Sequence, residues 1–468
     1  MLPLLFVLAA PTYKALPEFH DWYGVYLQGK KVGYVESLRH KVTEHGQNLL
    51  VARQTMTAHV SGMGQDVSVE VITENQYENS TGKLARLSFK QTTSTGAVEL
   101  NGEMKGKILN VIFKAGGEQR ASTVPLTETA NDAYAGELLA LDPAAKIGAK
   151  AVTHTYDASV QKVTEVDYEL TKIEDRLLDG VNAKVRFVAS KMPELNIDEE
   201  AVYGPDGRVL ESKIGGIFTM RLENEKLAKD VGYSQDVLIS FVVPVDRPIE
   251  DPAKISELDV RLVGAGHYAL PQTSRQRSTA QGDSLDVHVE RVKFDETSAV
   301  ALPVDASKFK DTLKPENLIQ SDAPEIRRLA HEIVGKEKNS YKAAKLILDW
   351  VYAHVENAYV PAVSNALEVL HSLKGDCGEH QVLFVALARA AGIPARAVVG
   401  MTYWPPGNGF GYHAWAEVYV GQWIAVDPTQ HAMNADATHI QLAGGDLAEQ
   451  ARITALIGKM KAQIQKAM

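Results

Sequence analysis

The single cysteine, Cys377, lies in the run Gly375-Asp376-Cys377-Gly378-Glu379-His380, directly before the apolar stretch Val382 to Ala391, which ends at Gly392-Ile393-Pro394. This arrangement predicts a helix opened by a thiol. Unpaired backbone N–H groups and the positive end of the helix dipole gather at such a position and favour thiolate, predicting a pKa below the usual ~8.5 and hence a nucleophile at neutral pH. Beyond the helix, Ala395 to Tyr403 reads as a buried strand. The turn Pro405-Pro406-Gly407-Asn408-Gly409 leads into the alternating run Tyr412 to Val420, which places His413, Trp415 and Glu417 on one face. Gly421-Gln422 then turns the chain through Trp423 to Val426 into Asp427-Pro428-Thr429.

The segments GDCGEH, AGIPARAVVG, YHAWAEVYV and WIAVDPT, in this order, closely resemble the catalytic core of the bacterial transglutaminase-like family, a branch of the papain-like cysteine hydrolases and acyltransferases. The resemblance covers roughly residues 325 to 445. It implies that Cys377 is the nucleophile, His413 the base and Asp427 the orienting carboxylate, with no metal or organic cofactor. Separations of 36 (413 minus 377) and 14 (427 minus 413) suit a triad carried by a helix start and two adjacent strands. The roles also have a physical basis, because acyl transfer from an amide needs a nucleophile, a proton shuttle and a fixed imidazole tautomer. The backbone N–H of Cys377 is the natural first donor to the developing oxyanion. Asn365 is a candidate second donor, or else the cap of a helix from Ala366 to Leu370.

Other residues near the triad carry alternatives. Asp376 and Glu379 read as helix caps or partners of its dipole. Cys377, His380 and His413 form a conceivable zinc set, with the capping and triad roles preferred. His431 and His439, in a loop with Asn434 and Asp436, read as solvent-facing or capping groups. Trp404, Tyr412 and Trp415 read as core of the sheet, with Trp404 a second candidate as a wall of the substrate cleft.

The positioning elements divide the chain. Its 468 residues exceed one typical domain of ~150. Residues 1–15 hold the apolar run Leu2 to Ala10, with Val7 and Ala9 spaced as at a cleavage site, and read as a signal peptide without its usual preceding basic residue. Residues 18–230 alternate with period two and read as an antiparallel sheet or half-barrel. Its first hairpin is Val25 to Leu27 with Val32 to Val35, it has a turn at Gly204 to Gly207, and one helix interrupts it at Tyr134 to Leu141. Its opening, Asp21 to Tyr26 with Val32-Gly33-Tyr34, distantly resembles the concave sheets of periplasmic lipoprotein carriers. Residues 231–304 read as a small β module with strands at Leu238 to Val243, Leu258 to Val263 and Leu285 to Val292. From 305 to 468 the period becomes helical, with Ile326 to Val334 and then Tyr341 to Val355 capped by Ser340 and stopped by Pro361. Leu447 to Met468 fits either a last strand or an amphipathic helix. The fold class is α+β, a papain-like transglutaminase-type core preceded by a large antiparallel β domain and a small β module.

Composition narrows the partners. With 49 Lys and Arg against 59 Asp and Glu, the formal net charge is -10, and no basic run is present to neutralise a line of phosphates, which argues against nucleic acid. One cysteine excludes an intramolecular disulfide and a CxxC pair. After the first residues, nothing approaches the ~18 consecutive apolar residues of a membrane helix, so a mature chain is expected without a transmembrane segment. The expectation is a periplasmic or secreted protease or amidase acting on peptide or protein substrates through a thioester, with hydrolysis preferred over crosslinking and an envelope protein as a further partner. The alternative is a slow or non-catalytic envelope assembly protein that binds through its β modules. A third reading, a lipid carrier, requires an open apolar concavity in the N-terminal sheet.

Overall fold

The computed structural model describes residues 13–44, 46–62, 65–93, 96–231, 235–236, 242–358, 365–445 and 447–468. The apolar run Leu2 to Ala10, most of the strand expected at Leu238 to Val243, and Pro361 lie outside the described residues.

The N-terminal half is one 15-stranded sheet among the described residues. From the edge strand Glu118–Pro125 it runs back through consecutive hairpins to Phe19–Leu27, continues across Phe218–Glu223, and ends at the other edge in Lys150–Asp157. The first hairpin pairs Val25 with Gly33 around a turn in which Gln28 and Gly29 both take positive φ, the left-handed geometry a tight hairpin requires. Alternation explains the pattern of burial: along Ile108–Ala115, Leu109, Val111, Phe113 and Ala115 point inward. The helical interruption is two short helices, Ala130–Ala133 and Ala135–Leu141. Tyr134 and Ala130 join the apolar cluster of Leu84, Leu100 and Phe113, covering that part of the sheet. Arg39, 1% exposed, passes between the rings of Phe19 and Tyr134 to form a two-pronged ion pair with Glu137.

The small module is a four-stranded sheet of Gln276–Gln281, Ser284–Glu290, Glu257–Val263 and Lys461–Ala467. The last of these strands comes from the C-terminal segment that fitted strand or helix. Its Ala462 and Ile464 share one core with Leu258, Val260 and Val287 of the module and with Met401, Phe410 and Ile440 of the C-terminal sheet.

That C-terminal sheet is ordered Ala432–Met433, Trp423–Asp427, Gly409–Tyr419, Ala395–Trp404 and Ile440–Gly444. Against it lies the Cys377–Ala390 helix, in which every residue from Leu383 to Ala388 is fully buried. A helix apolar on all sides must be covered on all sides. The helices Pro324–Val334, Ser340–His354 and Ala366–Ser372 cover the side away from the sheet. In the 340–354 helix, Ala343, Ala344, Ile347, Leu348 and Val351 are buried at helical spacing. Its cap is Asn339 rather than Ser340: the Asn339 carboxamide oxygen accepts from the Lys342 N–H at 3.0 Å, and Ser340 is a buried first-turn residue. The longer amide side chain reaches the first-turn N–H from one residue earlier.

Candidate active site

The nucleophile candidate is held by its helix. Asp376 is the N-cap: its Oδ1 accepts from the Gly378 N–H at 3.0 Å, and Glu379 Oε2 accepts in return from the Asp376 N–H at 2.9 Å, a reciprocal capping box. This is the capping role expected for both carboxylates. Cys377 follows as the first helical residue, half-buried against Val399, Ala414 and Ala443. One turn on, buried Gln381 donates to the carbonyls of Val398 and Trp415, tying the helix to the two central strands.

His413 lies on the strand beside this helix start. Its Nε2 is 2.7 Å from Asp427 Oδ2, and its ring is near enough to the Cys377 thiol to interact with it electrostatically. With Nε2 engaged by the carboxylate, Nδ1 is the nitrogen left for sulfur. Asp427 is wholly buried, and its other oxygen accepts from the N–H groups of Thr429 at 2.8 Å and Gln430 at 3.0 Å. The three residues chosen from sequence therefore lie in one neighbourhood, with His413 bonded to Asp427 and electrostatically coupled to Cys377.

The electrostatics follow from this burial. Burial alone would lower the His413 imidazole, but Asp427 first and then Cys377 together outweigh it and push the group up to about 10. Burial alone would raise Asp427, yet the His413 charge and hydrogen bond, with those of His439, hold its carboxyl far below the usual range. For Cys377, burial and then the Asp376 carboxylate push the thiol up, while His413 and the Ala414 N–H pull it down without prevailing. The thiol expected to be lowered is instead raised: desolvation and the capping carboxylate exceed what His413 and the Ala414 N–H supply.

His439 also departs from expectation. It is 1% exposed rather than solvent-facing: its Nε2 lies 3.1 Å from Asp427 Oδ2 and its Nδ1 3.4 Å from Asp436 Oδ1. Sequence offered little signal for it beyond a histidine three residues after an aspartate, just before a strand whose neighbour was not legible. His431 is solvent-facing, paired with Asp349 and stacked on Tyr352. His380 turns back along its own helix to the Asp376 carbonyl at 2.7 Å. Among the described residues, ligand-type atoms gather instead at His413, Asp427 and His439, and at Glu257, Asp259 and His288. Asn365 caps the 366–372 helix through its Oδ1, which also accepts from Gln320. Trp404 packs on the Pro405–Gly407 turn.

A cleft of about 680 Å³ opens beside Asp376, Gly378 and Ala414. Its opposite walls are Val160 to Lys162, from a turn of the large sheet, and the segment around Glu316.

Residues 327–428 match the transglutaminase-like superfamily core. The chain carries a transglutaminase-like domain. Among curated proteins, this chain is 38% identical over 81 residues to an uncharacterized protein of Haemophilus influenzae, covering 16% of this chain and 22% of that protein. It is 27% identical over 192 residues to an uncharacterized protein of Mycobacterium leprae, covering 37% of this chain and 62% of that one. The chain thus spans less than two thirds of either relative. Among solved structures, a putative cysteine protease from Cytophaga hutchinsonii is 20% identical with a TM-score of 0.31, covering 46% of this chain and 86% of that one. A β-barrel-like protein from Brucella abortus, from a domain family of unknown function, is 14% identical with a TM-score of 0.34, covering 45% of this chain and 96% of that one. These structural likenesses are distant. The transglutaminase-like domain contains all three triad candidates, whereas His439 lies just beyond its matched residues.

Proposed function

We propose that this protein is a cysteine-dependent amide hydrolase or acyltransferase for peptide or protein substrates, with Cys377 as nucleophile, His413 as acid and base, and Asp427 as the carboxylate that orients it. The observation that carries this reading is the His413 Nε2 to Asp427 Oδ2 contact of 2.7 Å, with the Cys377 thiol within electrostatic reach of the same ring. A Cys377 thiolate attacks the amide carbon, forming the C–S bond. The His413 imidazolium gives its proton to the departing nitrogen as the C–N bond breaks, leaving a thioester. Neutral His413 then takes a proton from water, or from an amine acceptor, as that molecule attacks. The C–S bond breaks, and thiolate and imidazolium are restored. The Cys377 N–H serves as first oxyanion donor.

In this reading residues 305–468 hold the reacting groups, the cleft beside Ala414 receives substrate, and residues 18–230 supply its far wall through Val160 to Lys162. Hydrolysis is taken over crosslinking. Placement in the periplasm or outside the cell rests on the apolar Leu2 to Ala10 run; among the described residues no helix is long and apolar enough to cross a membrane.

The test is release of amine from peptide and protein amides by the purified full chain, with and without an added primary amine, against Cys377→Ala. Turnover lost in the variant supports the reading, and equal rates in the two proteins would sink it. Incorporation of the added amine into product would reverse the preference for hydrolysis.

A further inference from the structure

We propose that His439, backed by Asp436, is a positioning residue for the Cys377–His413 pair, acting through the Asp427 oxygen that it shares with His413. The proposal rests on the triad reading above and adds to it a fourth and a fifth residue.

The geometry of Asp427 is the starting point. Its Oδ1 is fixed by two backbone N–H groups, those of Thr429 and Gln430. Its Oδ2 faces two imidazole nitrogens, His413 Nε2 at 2.7 Å and His439 Nε2 at 3.1 Å. The bonds at Oδ1 limit rotation about the Cβ–Cγ bond, and His439 adds a second contact at Oδ2 itself. The second imidazole thus narrows the positions that Oδ2 can take as it meets His413. The two rings stand edge to face, with centroids 6.0 Å apart, so they approach one oxygen from different directions.

His439 is itself fixed. Its other nitrogen faces Asp436 Oδ1, an oxygen that also accepts from the Thr438 N–H at 2.8 Å and the Thr438 hydroxyl at 2.6 Å. Trp415 closes the remaining side, its ring perpendicular to the imidazole at 5.3 Å. Carboxylate oxygens facing both nitrogens favour the imidazolium, because a neutral ring would turn a lone pair toward one of them. Read from the nucleophile outward, thiol, imidazole, carboxylate, imidazole and carboxylate alternate.

The small β module braces this assembly from behind. Buried Arg275 donates from Nη2 to the Asp436 carbonyl at 2.7 Å, the Ala437 N–H donates to the Ile255 carbonyl at 3.0 Å, and Gln276 bonds both the N–H and the carbonyl of Gln441 at 2.8 Å. Residues on either side of His439 are therefore pinned to the module. The charged groups around it are Asp427, Asp436 and His413, with Arg275 behind Asp436 and Glu417 and Arg291 within electrostatic reach of Arg275.

A residue acting through His413 has a signature that a merely structural one lacks: its loss reproduces part of the loss of His413 and adds nothing once His413 is gone. The experiment is the pH dependence of iodoacetamide labelling of Cys377 in the full chain, read by intact mass, for wild type, His413→Ala, His439→Gln and the double variant. Thermal unfolding is recorded alongside. His413 lowers the thiol pKa, so His413→Ala moves the labelling limb to higher pH. His439→Gln moves it part of the way, by about one pH unit or about tenfold in rate at fixed pH on the limb, and leaves the limb of the double variant where His413→Ala alone puts it. If His413→Ala leaves the limb unmoved, the triad reading fails and this proposal with it. If His413→Ala moves the limb but His439→Gln does not, or moves it equally in both backgrounds, the triad stands and the positioning role is overturned. Should His439→Gln fail to fold, Gln276→Ala, which releases the strand beside His439, is measured instead, and a limb unchanged from wild type overturns the proposal.

Discussion

Gly400 stands directly opposite His413 in the central strand pair, and a Cβ on it would lie 2.1 Å from the Ile440 carbonyl oxygen and 2.7 Å from the Trp415 ring. The Ile440–Gly444 strand, which directly follows His439, thus packs against the Gly400 strand, the neighbour of the His413 strand, only because no side chain projects at position 400. Gly400→Ala should force Ile440 and Trp415 apart at an overpacking cost of ~1–3 kcal/mol. Chemical denaturation would record the loss of stability. The accompanying drop in turnover should exceed that of a core variant of equal stability elsewhere, such as one in the large sheet.

Turnover should rank the triad. Cys377→Ala should abolish it, because no other side chain can carry the acyl group. His413→Ala should cost at least the ~100-fold typical of a lost acid-base group. Asp427→Ala should retain a residual rate, since His413 can still reach the thiol. Steady-state kinetics on one amide substrate would measure all three, and a rate for His413→Ala close to wild type would remove it from the mechanism.

Asp376 has two separable effects. Its carboxylate caps the Cys377 helix and also raises the thiol pKa by its charge. Asparagine caps as well as aspartate but carries no charge. Asp376→Asn should therefore keep the unfolding midpoint and move the Cys377 alkylation limb to lower pH. Asp376→Ala should also lose the cap, at ~1 kcal/mol. An Asp376→Asn limb at or above wild type would contradict the charge argument.

Stability should also depend on pH at a site far from the thiol. Glu128 is buried, and desolvation raises its carboxyl from 4.5 to about 7, against hydrogen bonds from the Tyr156 N–H at 2.8 Å and the Tyr77 hydroxyl at 3.2 Å. Because the folded value lies above the unfolded one, the folded state binds the proton more tightly. The contribution is fully present below about 4.5 and is lost as pH rises through about 7, a change of about 3 kcal/mol. Urea titrations across that window should show stability from this group falling with pH, and Glu128→Gln should flatten the slope.

In the buried ion pair Arg39–Glu137, removing one partner strands the other charge beneath the sheet. Glu137→Ala should cost ~3–5 kcal/mol, whereas a paired apolar replacement of both residues should cost far less. Equal losses in the single and double variants would indicate that packing of the Arg39 stem between Phe19 and Tyr134, rather than its charge, carries the stability.

What the sequence made legible was local. The Cys377 helix, its caps Asp376 and Glu379, and the hairpin carrying His413 are written in contiguous residues whose period and turn chemistry leave few alternatives. The first hairpin at Gln28-Gly29 and the helix ending at Leu141 were legible for the same reason. Non-local pairing was not. His439 lies 12 residues after Asp427, but its burial depends on the Ile440–Gly444 strand pairing with Ala395–Trp404 and on Gln276 of the module, more than 160 residues earlier. The same limit left Lys461–Ala467 undecided between strand and helix, because its partner Glu257–Val263 is remote. The thiol pKa was misjudged because position on a helix can be read from sequence, whereas desolvation cannot.

The pairing of Lys461–Ala467 with Glu257–Val263 also sets a timetable. A ribosome adding ~5–20 residues per second makes these two strands ~10–40 s apart, and everything that positions the thiol is made in the interval. The Cys377 helix and the His413 strand emerge first, then Asp427, then His439. The sheet whose loops brace them is completed only afterwards. A nascent chain therefore carries its thiol for many seconds before the surroundings that govern its reactivity exist. On the proposed triad, for a protein with a single cysteine, that ordering postpones full chemical competence until synthesis has passed His413, Asp427 and His439.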